Sequence, residues 1–337
     1  MTGNKILNQI LSGSKKAGKT YAFDETHDET RPAQMWFQHS REGVILFIVF
    51  YTQACRWSRC LGCNLPSKVS RNHIPYTSIM AQIDYLLSQP EVIEKRESIS
   101  KVIISNNGSI LDEDTFSSTS LMYLIARLNQ HMPNMAVLSL ETRPEYVELE
   151  ELEFLSRALK EGETPTTLEI AIGFEAFDDR IRNQVFDKGL SLDLFERLVK
   201  RISGYRFKLK CYFMQKPVPG MSDAEATADI MNGIDYLSEM SIRHGAEINM
   251  HLNPTYVATG TLLERAFHDG TYIPPFLVDV ARAVRHAENK SVSIFVGLSD
   301  EGLAVPGGSF IREEEKHLIA LLEQFNQTQD YTLLRSI

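Results

Sequence analysis

Val44-Ile45-Leu46-Phe47-Ile48-Val49-Phe50 is followed closely by Cys55-Arg56-Trp57-Ser58-Arg59-Cys60-Leu61-Gly62-Cys63. The apolar run reads as a buried strand, and the cysteines lie on the loop that leaves it. Three thiolates on one loop can hold three irons of a [4Fe–4S] cube and leave the fourth open to a small molecule. That turns an electron carrier into a catalyst. Cys55, Cys60 and Cys63 are therefore the candidate metal ligands. The fourth cysteine, Cys211, lies in a later strand and reads as a small core residue. The rival is structural zinc, with His73 completing a Cys₃His set in a non-catalytic binding module. Zinc ribbons use two separated ligand pairs, whereas here all three thiolates crowd one loop.

Clustered, unpaired cysteines point to a reducing compartment. No stretch approaches the ~20 apolar residues of a membrane span, and Met1-Thr2-Gly3-Asn4-Lys5 lacks a signal peptide's apolar core. A cytoplasmic protein with no membrane partner is expected. The 337 residues, 43% hydrophobic, suffice for one large α/β domain or two smaller ones. The net charge of −9 gives no general attraction to nucleic acid.

Gly13-Ser14-Lys15-Lys16-Ala17-Gly18-Lys19-Thr20 matches the phosphate-loop pattern G-x-x-x-x-G-K-[ST]. Such a loop works between a buried strand and a helix N-terminus. Here Ile6 to Leu11 are spaced like a short helix, and the residues after Thr20 are too acidic and polar for a buried one. The match is read as a decoy, and residues 1–40 as a mobile or surface-lying N-terminal extension.

Strand signals follow near 44–53, 100–105, 135–141, 167–174, 206–214, 246–252 and 291–297. Helical periods fall near 75–88, 118–131, 148–160, 191–202, 222–240 and 259–287, the last broken at Pro274-Pro275. This alternation predicts parallel strands with helices outside. Four strands also alternate in character. Leu168, Ile170, Ile172 and Phe174 oppose Glu169, Ala171, Gly173 and Glu175, and the strands near 137–143, 207–216 and 246–253 do likewise. An apolar face toward helices and a polar face inward predict an α/β partial TIM-type barrel around a substrate. The barrel is assigned to residues 41–297, and 298–337, with an amphipathic helix over 311–327, to a C-terminal segment covering it.

These residues resemble the radical S-adenosylmethionine superfamily. The resemblance implies a (β/α)₆ partial barrel whose first strand leads into the three-cysteine loop. The spacing here, C-x₄-C-x₂-C, is one residue longer than usual, and Gly62 stands where an aromatic usually precedes the last cysteine. Glu141-Thr142-Arg143-Pro144-Glu145 and Ile172-Gly173-Phe174-Glu175 resemble the Elongator-catalytic-subunit-like branch. Asn253-Pro254, Gly260-Thr261-Leu262-Leu263-Glu264 and Tyr272-Ile273-Pro274-Pro275 are similar to the radical subunit of archaeosine synthase, RaSEA.

The resemblance implies a [4Fe–4S] cluster and S-adenosylmethionine as cofactors, with reductive cleavage giving a 5′-deoxyadenosyl radical that abstracts hydrogen. It places Ser105, Asn106, Asn107 and Gly108 near the methionine amino group, where the family usually carries an acid. Glu141 and Glu175 become candidates for the ribose hydroxyls or the amino group, and Arg143 for the carboxylate. The alternatives are a helix cap for Glu175 and an ion pair of Arg143 with Glu141 or Glu175. Tyr212, Lys216 and His251, inward near strand tops, are the candidate catalytic residues. Arg56 and Arg59 are expected to tune the cluster or grip S-adenosylmethionine. The expected partners are a small-molecule or nucleoside substrate and an electron donor such as flavodoxin or ferredoxin. Modification of a tRNA base is the second reading, disfavoured because Lys15, Lys16, Lys19, Arg56, Arg59, Lys208 and Lys210 look too scattered for an RNA track. The lack of cysteines after Cys211 argues against a second cluster.

Overall fold

The computed structural model describes residues 2–335 and 337, with side chains from residue 5 onward. They form two compact units, each described by itself. The first comprises Met1–Gly13, Ala22–Ser58 and Leu65–Ile172, and the second Ser14–Tyr21, Arg59–Asn64 and Gly173–Ile337.

After helix α1 (Thr2–Lys16), the first unit carries strands β1 (Gln34–Ser40) and β2 (Gly43–Val49), helices α2 (Tyr76–Leu87) and α3 (Pro90–Lys95), and strand β3 (Ile99–Ser105). Helix α4 (Ser118–His131), strand β4 (Val137–Thr142), helix α5 (Leu149–Leu159) and the start of strand β5 (Thr167–Glu175) complete it. Strands β2 to β5 pair in parallel, in chain order. Helices α2, α4 and α5 start where the sequence places them, α3 was not expected, and Ser117 caps α4 by accepting from Ser120 N. Strand β1 was not expected. It pairs antiparallel with β2, and Trp36 stacks on Phe47 with ring centroids 4.2 Å apart. Its side chains are almost all half-buried, which erases the alternation that would have announced it.

The second unit holds helix α6 (Leu192–Ser203), strand β6 (Lys208–Gln215), helix α7 (Asp223–His244) and strand β7 (Ile248–Pro254). Helices α8 (Leu262–His268) and α9 (Leu277–Arg285), strand β8 (Ser293–Val296) and helix α10 (Lys316–Thr328) follow. Strands β6, β7 and β8 are parallel. Ser222 and Glu225 form a capping box at the start of α7. At the other edge, Asn326 Oδ1 accepts from Val296 N and its Nδ2 donates to Val296 O, both at 2.8 Å. Gln329 does the same for Ile294 at 3.1 and 2.7 Å. The C-terminal helix thus covers the open edge of β8 with side-chain amides in place of another strand.

The alternation read from β5 is real: Leu168, Ile170, Ile172 and Phe174 are fully buried. The opposite face is polar but largely self-paired at its lower end. Lys101 Nζ lies 2.8 Å from Glu169 and 2.6 Å from Glu42, and Lys210 Nζ donates to Asn249 Oδ1 at 3.3 Å.

The segment with the phosphate-loop pattern is no phosphate loop. Gly13 to Lys16 form the last turn of α1, and Gly18, at φ 64°, ends it. Gly18 N donates to Lys15 O and Lys19 N to Ser14 O, both at 3.1 Å, which is a Schellman closure. The segment after α1 is anchored by hydrogen bonds to backbone carbonyls. Thr20 N donates to Gly260 O at 2.9 Å, and Arg265 donates to Gly18 O at 3.1 Å. Ile6 and Ile10 of α1 are buried, so the helix is held by its apolar stripe.

Candidate active site

In the first unit, the chain leaving β2 packs on the turn after β3. A Cβ built at Gly108 would lie 3.3 Å from Cys55 Cα, so the close approach depends on glycine. Ser58, at φ 47°, turns its hydroxyl back to Cys55 O at 2.5 Å. Of the expected turn residues, Ser105 Oγ accepts from Asn107 N at 3.2 Å, and Asn107, at φ 55°, donates to Leu65 O at 3.1 Å. Asn106 is fully buried, and its Oδ1 has no hydrogen-bond partner, nor has Ser109 Oγ. A buried acceptor without a donor is costly and awaits one. This turn presents it next to a cysteine.

Arg143 follows β4 and is buried, with its guanidinium 4.2 Å from the Trp57 ring and its Nε 2.5 Å from Glu145 Oε1. Glu145 is a carboxylate partner of this guanidinium, and its stacking on Trp57 ties it to the cysteine loop. Glu141, half-buried at the end of β4, accepts through its carbonyl from Ile110 N at 2.8 Å. Arg56 is held 2.7 Å from both Asp112 and Asp114 and lies over Tyr146. Burial, then the Asp112 charge, pushes the Tyr146 hydroxyl up to about 12.

In the second unit, residues 59–64 are pinned from several sides. Leu61 N donates to Phe186 O at 2.9 Å, and Asn64 Nδ2 to Thr259 O at 3.2 Å. A Cβ at Gly62 would meet Leu263 Cδ1 at 2.9 Å, so a side chain there would have to displace that leucine. Leu61 packs instead against Phe186 on one side and Leu263 on the other. Burial pushes the Cys60 thiol up to about 12, while Lys188 and Lys19 draw it down. Ionisation of this sulfur therefore accompanies ligation.

Glu175, ending β5 at φ 74°, caps no helix; it accepts from Lys188 Nζ at 2.7 Å. Sequence reading missed Lys188 because it sits on an irregular loop. That loop is built by a π-helical turn, Arg180–Val185, and by fully buried Arg182. Arg182 donates to Ala176 O, Phe177 O and Leu190 O, and its own carbonyl accepts from Lys188 N. Lys216, at φ 62°, is buried and donates to Asp223 at 2.7 Å, while its carbonyl accepts from Tyr272 Oη at 2.7 Å. Tyr212, His251 and Phe295 form an aromatic row across β6, β7 and β8, each neighbour 4.8 Å from the next. Non-glycine residues with positive φ are uncommon and gather at functional sites. Here Asn107, Glu175 and Lys216 all lie at C-terminal ends of parallel strands, where α/β folds bind ligands.

The second unit also unites charges that are distant in sequence. Lys16 Nζ and Arg59 Nε approach Asp187 Oδ2 at 3.0 and 3.8 Å. The basic residues are less scattered than their linear order implies.

The cysteines are uncrosslinked; Cys55, Cys60 and Cys63 are partly exposed and Cys211 is buried. Among the described residues, no three His, Cys, Asp or Glu side chains share one metal-ion position, and His73 is exposed. Zinc draws its donors onto a single ion, whereas a cube takes each thiolate on a different iron. Three uncrosslinked loop thiolates are donors of the kind such a cluster takes, and the partnerless Asn106 acceptor beside Cys55 suits an ammonium group.

No protein-family model matches the chain. It is similar to an uncharacterized protein of Methanocaldococcus jannaschii, 24% identical over 91% of this chain and 84% of that one. It is similar to the archaeosine synthase subunit beta of Methanosarcina acetivorans, 27% identical over 72% of this chain and 66% of that one, just under two thirds. The archaeal Elp3 of Methanocaldococcus infernus aligns in structure with a TM-score of 0.51 and 16% identity, over 74% of this chain and 59% of Elp3. The chain shares the α/β partial-barrel fold of that protein. The partial-barrel class expected from the strand pattern is therefore correct, and so is the resemblance to the Elp3-like and archaeosine-synthase-like branch. That resemblance is to a class of enzymes. Among the described residues, no helix is long and apolar enough to cross a membrane.

Proposed function

We propose that this chain is a radical S-adenosylmethionine enzyme acting on a nucleoside, free or within RNA. The observation that carries it is the close packing of Cys55 on the Asn106–Gly108 turn. One of three uncrosslinked loop cysteines there meets a buried acceptor that has no partner. When bound, the cluster and S-adenosylmethionine supply one-electron cleavage to a hydrogen-abstracting 5′-deoxyadenosyl radical. Cys55, Cys60 and Cys63 hold the cluster. Asn106 Oδ1 accepts from the methionine ammonium, and Arg143, stacked on Trp57, pairs with the carboxylate. Glu141 and Glu175 receive ribose hydroxyls. Tyr212 and His251 contact substrate from the polar face of β6 and β7, and Lys216 from the turn that follows β6.

A nucleoside substrate is favoured by the likeness to archaeosine synthase subunit beta. An unrelated small metabolite, the other class weighed from the sequence, has no comparable support. A low-potential donor such as flavodoxin or ferredoxin would supply the electron. The test is incubation of reconstituted, dithionite-reduced protein with S-adenosylmethionine. Formation of 5′-deoxyadenosine supports the reading; protein that carries zinc and makes none refutes it.

A further inference from the structure

We propose that Asp112 is a positioning residue: through Arg56 it holds the first arm of the cysteine loop against the turn that carries Asn106. Cys55 and the Asn106 acceptor then keep one spacing with or without their ligands. All the groups involved lie in the first unit. Arg56 follows Cys55 directly, and its Nε donates to Asp112 Oδ2 and its Nη1 to Asp114 Oδ2, both at 2.7 Å. The two acids are unequal. The Asp112 side chain is 4% exposed and that of Asp114 46%, so water screens the outer pair far more than the inner one.

Asp112 is also built into the Asn106 turn. Its N–H donates to Ser109 O at 3.1 Å, and its carbonyl accepts from Thr115 N at 2.8 Å and Thr115 Oγ1 at 3.1 Å. Asn106 Nδ2 reaches the same two neighbours, Ser109 O at 3.5 Å and Thr115 Oγ1 at 3.4 Å. A continuous path of hydrogen bonds therefore runs from Asn106 through Thr115 and Asp112 to Arg56, the residue next to Cys55. The two residues after Arg56 are tethered as well. Trp57 lies under the Arg143 guanidinium at 4.2 Å, and the Ser58 hydroxyl donates to Cys55 O at 2.5 Å. Fixing a loop residue costs about 1–2 kcal/mol of backbone entropy, and this loop has four residues between its first two cysteines. Tethers formed before ligation remove part of that cost and hold the ligating group in place. A buried ion pair suits the task, because parting it strands a charge away from water.

The inference rests on the reading of Cys55 as a cluster ligand and Asn106 as an acceptor for S-adenosylmethionine, but its first readout needs neither. Trp36 and Trp57 are the two tryptophans of the chain, so W36F leaves Trp57 as the reporter of the arm. In metal-free W36F protein, D112N should raise acrylamide quenching of Trp57 clearly above the parent's. D114N should leave it nearly unchanged, and D112E, which keeps the charge, should restore most of the shielding. In cluster-loaded protein that retains Trp36, D112N should keep its iron, because all three thiolates remain. It should nevertheless bind S-adenosylmethionine several-fold more weakly. The change that S-adenosylmethionine causes in the paramagnetic resonance spectrum of the reduced cluster should differ from wild type. R56Q should reproduce these effects, and decides the matter if D112N does not fold. Unchanged quenching in D112N and R56Q overturns the proposal. A lowered melting temperature with unchanged affinity and spectrum also overturns it, since the pair would then be purely structural. So does an equal effect of D114N. Wild-type protein that loads a cluster but binds no S-adenosylmethionine would sink the proposed function instead, and the quenching result would still decide whether Asp112 holds the arm.

Discussion

Lys188 Nζ stands 2.7 Å from Glu175 Oε1, in space that exists because residue 173 has no side chain. A Cβ at Gly173 would lie 2.3 Å from the amine and 2.4 Å from the carboxylate oxygen. Both partners are nearly buried, and Glu175 holds a left-handed backbone at the strand tip. The pair fixes one carboxylate rotamer where the fold binds ligands.

If that rotamer serves the cofactor, Gly173→Ala should weaken S-adenosylmethionine binding several-fold at a stability cost of only about 1 kcal/mol, because flexible side-chain ends can move aside. Lys188→Met should weaken it further and destabilise by on the order of 1–3 kcal/mol, since it strands a buried carboxylate. Lys188→Arg should restore part of the affinity. Calorimetric titration of cluster-loaded protein, beside thermal melts, checks all three; unchanged affinity in G173A and K188M would make the pair purely structural.

Iron and sulfide analysis after anaerobic reconstitution separates the four cysteines. Wild type should carry about four of each per chain. Ala at Cys55, Cys60 or Cys63 should abolish the cluster. Cys211→Ala should retain it, at a cost of about 1 kcal/mol for a small buried side chain.

Asn106→Ala removes an acceptor that has no partner in the fold, together with two long hydrogen bonds that its Nδ2 donates to Ser109 O and Thr115 Oγ1. It should cost about 1–2 kcal/mol of stability while lowering S-adenosylmethionine affinity roughly tenfold, the worth of one hydrogen bond to a charged group. Arg143→Ala and Glu141→Ala should also weaken binding with the cluster intact. Equal affinity in N106A would remove the turn from the site.

Magnesium-ATP should not bind, in wild type or in Lys19→Ala, because the N–H donors are committed to the helix closure. Gly18→Ala should instead lower stability by about 1 kcal/mol, the penalty of a Cβ at a left-handed C-cap. Calorimetry with ATP and a thermal melt read the two effects independently.

Asp229 accepts from Phe177 N at 2.9 Å and Asp178 N at 2.7 Å, and burial raises its pKa above the usual carboxylate range. A raised native pKa means the folded state takes up the proton first. Its contribution to stability thus grows as pH falls through the folded pKa, and levels off below the unfolded value near 3.9. Relative to Asp229→Asn, wild type should gain stability between neutral pH and about 4. Denaturant midpoints measured across that range test the sign.

What the linear sequence determined was whatever repeats at the period of a strand or a helix. The strands from 44 to 297 and the helices between them were legible because each buries one face. The alternation of β5 even named which residues face the helices, since burial of an apolar stripe is written residue by residue. The cysteine loop was equally legible, because ligand chemistry and spacing lie in one short segment. What escaped had no period. Strand β1 is half-buried throughout, and the α1 closure borrows the letters of a phosphate loop while its donors are spent on helix carbonyls. Arg56 turned to Asp112 and Asp114, and Arg143 to Glu145. Lys188 reaches Glu175 only through a π-helical turn held by Arg182. Lys16 and Arg59 meet at Asp187 only once the chain has closed. These depend on through-space partners, and a side chain's partner is chosen by packing and electrostatics after the chain has closed on itself. The elements were therefore set by local burial patterns, and the roles of charged residues by the tertiary structure alone.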